Sequence, residues 1–323
     1  MRNAAFGLLA CVSALLFSQS PVSAAPIRVM LLDGQSAGIY HDWQHVTPVL
    51  KKELEEAGLF QVDVVTAPPS DEDFSQFNPN FAKYGVVVLN YDGPDWPAAL
   101  KASFENYVKN GGGLVVVHAA DNAFPQWAAF NQMIGVGGWR ARDEKSGPMW
   151  HYVNGKIVPD YTPGPAGSHG ARLPFQVAVR EPGHPILKGL PPVWMHAGDE
   201  LYARLRGPGG NMAVLATAYS DPANNGTGHD EPILMALDYG KGRVFHTTIG
   251  HDIAALSCVG FMTTFQRGTE WAATGNVTQK VPATFPTAKT VSYRADIASM
   301  DPALKTGPAR PALVPFGGKV PGR

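Results

Sequence analysis

Histidines and carboxylates recur in a few short segments of this sequence, where together they can do chemistry near neutral pH. The segments are residues 38–43, 118–122, 194–202 and 250–252. An imidazole has an unperturbed pKa of about 6.5, so a histidine beside a carboxylate can pass a proton or bind a metal ion under physiological conditions. We therefore select His118 and Glu200 as the candidate catalytic pair for acid/base chemistry.

Other residues in or near these segments have side chains suited to binding. The candidates for positioning a substrate are His41, Asn122 and Trp139, the last of which follows two glycines and offers a flat aromatic face. The candidates for metal ligands are His196 and His251. None of the spacings is an established metal signature such as His-Glu-x-x-His, so a bound divalent metal and metal-free acid/base catalysis both stay open.

The remaining histidines and Cys258 have structural interpretations. His246 lies within a predicted strand, which favours a hydrogen-bonded core histidine. Cys258 shares an apolar helical face with Phe261 and Phe265, which favours a buried thiol without a chemical role. His45 is assigned to the scaffold of a helix. The histidines assigned to loops are His151, His169, His184 and His229.

The hydrophobic pattern that must position these residues alternates between strands and helices. Predicted strands cover residues 27–32, 61–65, 85–89 and 114–117, and predicted helices cover residues 47–58, 96–109 and 126–134. Strands separated by helices of this length need crossover connections, which predicts an α/β fold with a doubly wound, mostly parallel sheet of the flavodoxin type. Ligands of such sheets bind beyond the carboxyl ends of the strands, where His41, His118 and His251 are expected.

The second half of the chain is less regular. Residues 135–230 are rich in Gly, Pro, His and Trp and are predicted to form an irregular excursion that contributes to the wall of the site. Strands return at residues 233–237 and 243–249, joined by a hairpin turn, and a last helix is predicted over residues 254–273.

The two ends of the chain differ in composition from the middle. Residues 1–24 combine Arg2, an apolar run and the small residues before position 25, which predicts a signal peptide and export to the periplasm or the medium. The α/β domain is assigned to residues 26–278. Residues 279–323 contain many prolines and are assigned to an extended tail, with a segment wrapped over the domain as the alternative up to residue 294.

Several classes of function are disfavoured. A net charge of −1 supplies no electrostatic footprint for nucleic acid, and no stretch after the signal peptide approaches the roughly 20 apolar residues of a membrane span. Residues 33–38 lack the Gly-x-Gly-x-x-Gly fingerprint, which argues against NAD. No Gly-x-Ser-x-Gly elbow stands at the end of the central strand, where His118 is found instead.

Several motifs in a fixed order resemble the ThuA-like (trehalose utilisation) family. They are residues 41–50, 110–120, 137–139, 199–202, 240–245, 250–252 and 267–272. The resemblance implies a fold similar to class I glutamine amidotransferases, in which His118 stands at or beside the position of their catalytic cysteine. It also implies a role in carbohydrate metabolism, with trehalose and 3-keto sugar derivatives as the suggested substrates.

The residues and the resemblance together favour an exported enzyme that rearranges or cleaves a sugar or a 3-keto sugar by acid/base chemistry, with or without a metal. Removal of a proton next to a carbonyl needs a base and a group that stabilises the resulting oxyanion, and the candidate residues supply both. Two alternatives remain. One is a non-catalytic sugar-binding module, and the other is a divergent hydrolase with water as the nucleophile.

Overall fold

A computed structural model describes residues 25–35 and 38–302 of the chain, together with Met1. Apart from Met1, the predicted signal peptide lies outside the described residues. Residues 303–323 of the predicted tail also lie outside them. Within the described part of the chain, no helix is both long and apolar enough to cross a bilayer.

Strands and helices alternate along the first half of the chain, and strands dominate the second half. The strands are β1 (Ile27–Gly34), β2 (Phe60–Thr66), β3 (Val86–Tyr91), β4 (Gly113–Val117), β5 (Met149–Val153), β6 (Lys156–Asp160), β7 (Leu173–Val179), β8 (Val193–Asp199), β9 (Ala213–Tyr219), β10 (Asp230–Tyr239) and β11 (Gly242–Thr247). The helices are α1 (Trp43–Glu56), α2 (Ala98–Lys109), α3 (Ala128–Ile134), α4 (Ile253–Leu256), α5 (Val259–Thr274) and α6 (Ala295–Ala298).

All these strands belong to one mixed sheet. Its order is β2-β1-β3-β4-β11-β10-β9-β7-β8, with β5 paired to β10 and β6 paired to β5. The first five strands in this order, β2, β1, β3, β4 and β11, run parallel to one another. All the other strand pairs are antiparallel. The predicted α/β fold is therefore confirmed, whereas the parallel arrangement holds only for the half of the sheet that the crossover helices connect.

The excursion at residues 135–230 explains the antiparallel half. The structure shows that it contains β5 to β9, which extend the sheet beyond β10. The connection between β5 and β6 is a two-residue turn, Asn154-Gly155, with φ of +50° and +81°. So short a connection can only join antiparallel strands, because a parallel crossover needs a dozen or more residues.

Both faces of the parallel half are covered, as the continuous apolar strands require. Val29 and Leu31 of β1 belong to the hydrophobic core on the side of α1 and α5, and Met30 and Leu32 belong to the core on the side of α2 and α3. The alternation follows from the two-residue period of a strand. A rigid central sheet of this kind fixes the positions of the loops at its carboxyl edge.

The first part of the predicted C-terminal tail packs on the domain. Thr287 accepts a backbone hydrogen bond from Met195 of β8 (2.8 Å), and Ser292 accepts one from Val259 of α5 (2.9 Å). Ile297 of α6 is fully buried. Residues 279–302 therefore wrap over the domain surface, as in the alternative interpretation of the sequence, and continue past residue 294.

Candidate functional site

Three histidines and one glutamate from distant parts of the chain meet at the carboxyl edge of the sheet. His41 precedes α1, His118 follows β4, Glu200 follows β8 and His251 follows β11. The ring centroids of the three imidazoles lie 4.8–5.4 Å apart, and one potential ligand atom of each of the four residues lies within 4.8 Å of the others. We call these four residues the His3Glu cluster.

His118 has a backbone conformation that few residues other than glycine adopt. Its φ is +45°, directly at the end of the central strand β4. A non-glycine residue in this region costs about 1–3 kcal/mol and is found mainly at functional sites. Its ring stacks on Tyr202 at 4.1 Å, and its Nδ1 donates a hydrogen bond to the Thr248 carbonyl (2.7 Å). This bond keeps the proton of a neutral ring on Nδ1. In that form Nε2 carries a lone pair that points into the cluster.

The Glu200 carboxylate lies among imidazoles. Its Oε2 is 3.1 Å from His251 Nδ1 and 3.6 Å from His118 Nε2, and its Oε1 is 3.6 Å from His169 Nε2. Burial alone would raise the pKa of Glu200, but His118 and His251 outweigh it and hold the pKa well below its usual range. The same neighbours act in reverse on His118, where burial lowers the pKa and the Glu200 and Asp199 carboxylates raise it.

His41 differs from His118 in the direction in which its pKa is shifted. Burial, reinforced by the nearby His118 and His251, holds the pKa of His41 well below its usual value. Its Nε2 lies 3.2 Å from the Tyr202 hydroxyl. His41 is therefore neutral at physiological pH and keeps a nitrogen lone pair for a ligand.

Asp199, at the end of β8, holds two members of the cluster in place. Its Oδ1 accepts from the backbone N–H groups of Glu200 (2.8 Å) and His251 (3.1 Å), and its Oδ2 accepts from that of Gly250 (2.7 Å). Gly250 has a φ of +115°, which the turn into His251 requires and which a side chain would strain. The buried Asp199 carboxylate thus ties the end of β8 to the chain after β11.

The structure does not bring His196 into the cluster. The side chain is fully buried within β8, and its Nε2 forms a 2.8 Å bond with Asp199 Oδ2. That nitrogen is therefore occupied by Asp199 and does not face the other imidazoles. The expectation that His196 is a metal ligand is replaced by a supporting role, in which it orients the carboxylate that holds Glu200 and His251.

A cavity of about 490 Å³ opens directly on the cluster. Its lining residues are Tyr40, His41, Asp92, Asn122, Trp139, Arg140, His169, Glu200 and Tyr202. The predicted substrate-binding residues His41, Asn122 and Trp139 thus share one cavity with Glu200. Its size falls in the range of small-molecule pockets, which combine aromatic walls with a few polar groups.

A left-handed turn presents Trp139 to the cavity. Trp139, Arg140 and Ala141 have φ values of +46°, +49° and +60° in succession, a costly conformation for residues with a Cβ. The buried Arg142 guanidinium stabilises the turn by donating to the carbonyls of Gly138 (2.9 Å) and Asn122 (2.7 Å). The same contacts link the turn to the chain after β4.

Five cavity residues were not among the sequence-based candidates: Tyr40, Asp92, Arg140, His169 and Tyr202. Asp92 directly follows β3 and pairs with Arg140 (2.7 Å), and burial raises its pKa to about 7 although Arg140 lowers it. Its position at a strand end is a signal that could have identified it. His169 was assigned to a loop and lies in one, but no local pattern shows that this loop faces Glu200.

The chain is similar to known proteins over most of its length. A ThuA-like protein from Parabacteroides merdae shares 48% of its sequence with this chain, with a TM-score of 0.81 over 84% of this chain and 99% of the other. A ThuA-like protein from Bacteroides uniformis is 20% identical, with a TM-score of 0.54 over 80% of this chain and 96% of the other, and shows the same fold. Among curated proteins, none matches with significance. The family model described as trehalose utilisation (ThuA) matches residues 28–272, and the chain therefore belongs to the ThuA family.

Proposed function

We propose that this chain is an exported enzyme that acts on a sugar or a 3-keto sugar derivative by acid/base chemistry at the His3Glu cluster. The observation that carries the proposal is that Glu200 and His41 form part of the wall of a cavity whose other sides are aromatic and hydrogen-bonding. Membership of a family described by trehalose utilisation supports a carbohydrate as the ligand.

The cavity has the two kinds of surface that a sugar needs. The half-buried Trp139 ring packs beside Tyr202, with 4.6 Å between ring centroids, and offers an apolar face to the C–H groups of a pyranose. Asn122 Oδ1 is buried and has no hydrogen-bond partner among the described residues, so it can accept from a sugar hydroxyl. Asp92 and Arg140 supply further polar groups on the same cavity wall.

The proposed chemistry starts with removal of a proton from the carbon next to a sugar carbonyl. The C–H bond breaks and its proton passes to a base in the cluster. Its electron pair forms a C=C bond to the carbonyl carbon, and the π pair of the C=O bond moves to the oxygen, which gives an enolate. His118 and Glu200 act in this step as a coupled pair, because only Glu200 lines the main cavity while His118 lies behind it. An isomer forms when a proton returns to the former carbonyl carbon and the proton of the neighbouring hydroxyl passes to the enolate oxygen. Cleavage follows when a leaving group departs from the carbon on the other side of the deprotonated carbon.

A turnover screen tests the proposal. Purified protein is incubated with plain disaccharides and with their 3-keto derivatives, and products are followed by mass spectrometry. We expect conversion of an oxidised sugar, and we expect Trp139→Ala to raise KM by about tenfold, equal to about 1.4 kcal/mol of binding. Tyr219→Ala, which removes an exposed aromatic ring that does not line the cavity, is the control.

The outcomes separate the proposal from its rivals. Tight binding of a sugar without any product would assign the cavity to a non-catalytic binding module. Absence of both binding and turnover across the screen would contradict the proposed substrate class. Export is tested separately by the mass of protein recovered from cells, where retention of the first 24 residues would contradict it.

A further inference from the structure

We propose that His41, His118, Glu200 and His251 together bind one divalent transition-metal ion of the Zn²⁺ type. Binding of the ion stands on the geometry of the cluster alone. The role that we give it in the reaction rests on the proposed function.

Three imidazole nitrogens of the cluster are buried without a hydrogen-bond partner among the described residues. They are His41 Nδ1, His118 Nε2 and His251 Nδ1. His251 Nδ1 does lie 3.1 Å from Glu200 Oε2, but without the alignment of a hydrogen bond. An unsatisfied buried polar atom costs about 1–3 kcal/mol, and three of them in one place are unusual.

The lone pair of His118 Nε2 points toward another acceptor, the Glu200 carboxylate. Since His118 Nδ1 donates to the Thr248 carbonyl, its neutral ring turns a lone pair toward the Glu200 carboxylate, 3.6 Å away. Two acceptors facing each other repel unless a positive charge, carried by a proton or a metal ion, lies between them. A metal ion supplies that charge, and the backbone hydrogen bond on the opposite nitrogen is the usual partner of a ligating histidine.

The distances between the potential ligand atoms of the cluster also fit a bound Zn²⁺ ion. Four ligands held at the 2.0–2.2 Å that Zn²⁺ prefers lie about 3.3 Å from one another in a tetrahedron. Glu200 Oε2 is 3.1 Å from His251 Nδ1 and 3.6 Å from His118 Nε2, which bracket this value. All four ligand atoms lie within 4.8 Å of one another, so binding would draw the cluster together by a small movement.

The strained backbone of His118 also points to a ligand at this position. A glycine would occupy its φ of +45° without strain, yet the position carries an imidazole that is 2% exposed. Such strain is compatible with folding only where the surroundings enforce it, as the stacked Tyr202 ring and the Thr248 carbonyl do here. A ligand with a fixed direction is a physical reason for this arrangement.

The ion also accounts for the composition of the site. Three imidazoles and one carboxylate favour Zn²⁺ and its neighbours in the first transition series over Mg²⁺ or Ca²⁺, which prefer oxygen ligands. In the proposed reaction the ion would stabilise the negative oxygen of the enolate as a Lewis acid. Glu200 Oε1, which faces His169 instead of the other three ligands, would take the proton. The chain's own residues would then orient the sugar, through Asn122 and Trp139, and exclude water.

Metal binding by the whole protein, freed of metal with a chelator and carrying no histidine tag, tests the inference. We expect calorimetric titration with Zn²⁺ to show about one tight site. Co²⁺ should give the visible absorption of a site with nitrogen ligands. His41→Gln and His251→Gln should each raise the Kd by more than the roughly 10- to 100-fold that follows loss of a residue that only orients a ligand.

The matched control is His45→Gln, which removes an exposed imidazole four residues from His41. Its metal affinity should equal that of the wild type, and circular dichroism shows whether each variant is folded. Failure of the wild-type protein to bind Zn²⁺ or Co²⁺ would overturn the inference, as would folded His41→Gln and His251→Gln variants with wild-type affinity.

Failure of this inference and failure of the proposed function give different results. Metal binding with no sugar turnover would support the metal centre and contradict the enzyme. Sugar turnover that persists in the metal-free protein would support the enzyme and contradict a catalytic role for the ion.

Discussion

Glu200→Gln is expected to weaken metal binding at least 100-fold, above the range of roughly 10- to 100-fold for residues that only orient ligands, and to abolish sugar turnover. The substitution keeps the size of the side chain but removes the negative charge that faces His118 and His251. An amide is also a poor ligand for a transition metal compared with a carboxylate. Calorimetric titration with Zn²⁺ and the product assay measure the two effects.

The control for this change is Glu231→Gln. Glu231 is a buried glutamate whose Oε1 lies 3.3 Å from His151 Nδ1, so the same chemical change is made beside another buried imidazole outside the cluster. Its Zn²⁺ affinity should match that of the wild type. A Glu200→Gln protein that binds Zn²⁺ as tightly as the wild type would remove Glu200 from the metal centre.

Asp199→Asn is expected to lower both the stability of the fold and the affinity for metal. Asn has one oxygen, so the backbone N–H groups of Glu200, Gly250 and His251 and the His196 ring cannot all keep an acceptor. Breaking a buried, hydrogen-bonded charge costs about 3–5 kcal/mol, which corresponds to a drop in Tm of roughly 10 °C. Metal affinity should fall about 10- to 100-fold, because Glu200 and His251 lose their support.

Differential scanning calorimetry and Zn²⁺ titration measure these changes. Asp238→Asn makes the same substitution at an exposed position of β10 and should leave both quantities unchanged. A Tm for Asp199→Asn equal to that of the wild type would show that Asp199 does not tie β8 to the chain after β11.

The parallel half of the fold was predictable because its signals are local. Residues 27–32 and 114–117 are continuous apolar runs, and each is followed by the polar residues that the structure places at the site. Since parallel strands end at one edge of a sheet, His41, His118 and His251 could be expected to converge. The hairpin between β10 and β11 was predictable from its turn for the same reason.

The excursion was less predictable because its short strands pair with partners that are distant in sequence. Nothing local shows that β8 returns to the residues after β11, so the sequence could not separate Glu200, which faces the cluster, from His196, which supports Asp199. His169 was assigned to a loop for the same reason. The left-handed turn at residues 139–141 has no sequence signal, because residues with a Cβ adopt it only where tertiary contacts such as those of Arg142 compensate its cost.

Anomalous diffraction from crystals grown with Zn²⁺ shows whether the His3Glu cluster holds a metal ion. Data collected on both sides of the zinc absorption edge locate the ion without reference to activity. We expect one strong peak about 2.0–2.2 Å from atoms of His41, His118, Glu200 and His251. Well-ordered side chains at these four positions with no peak between them, or a peak only on surface residues, would contradict it.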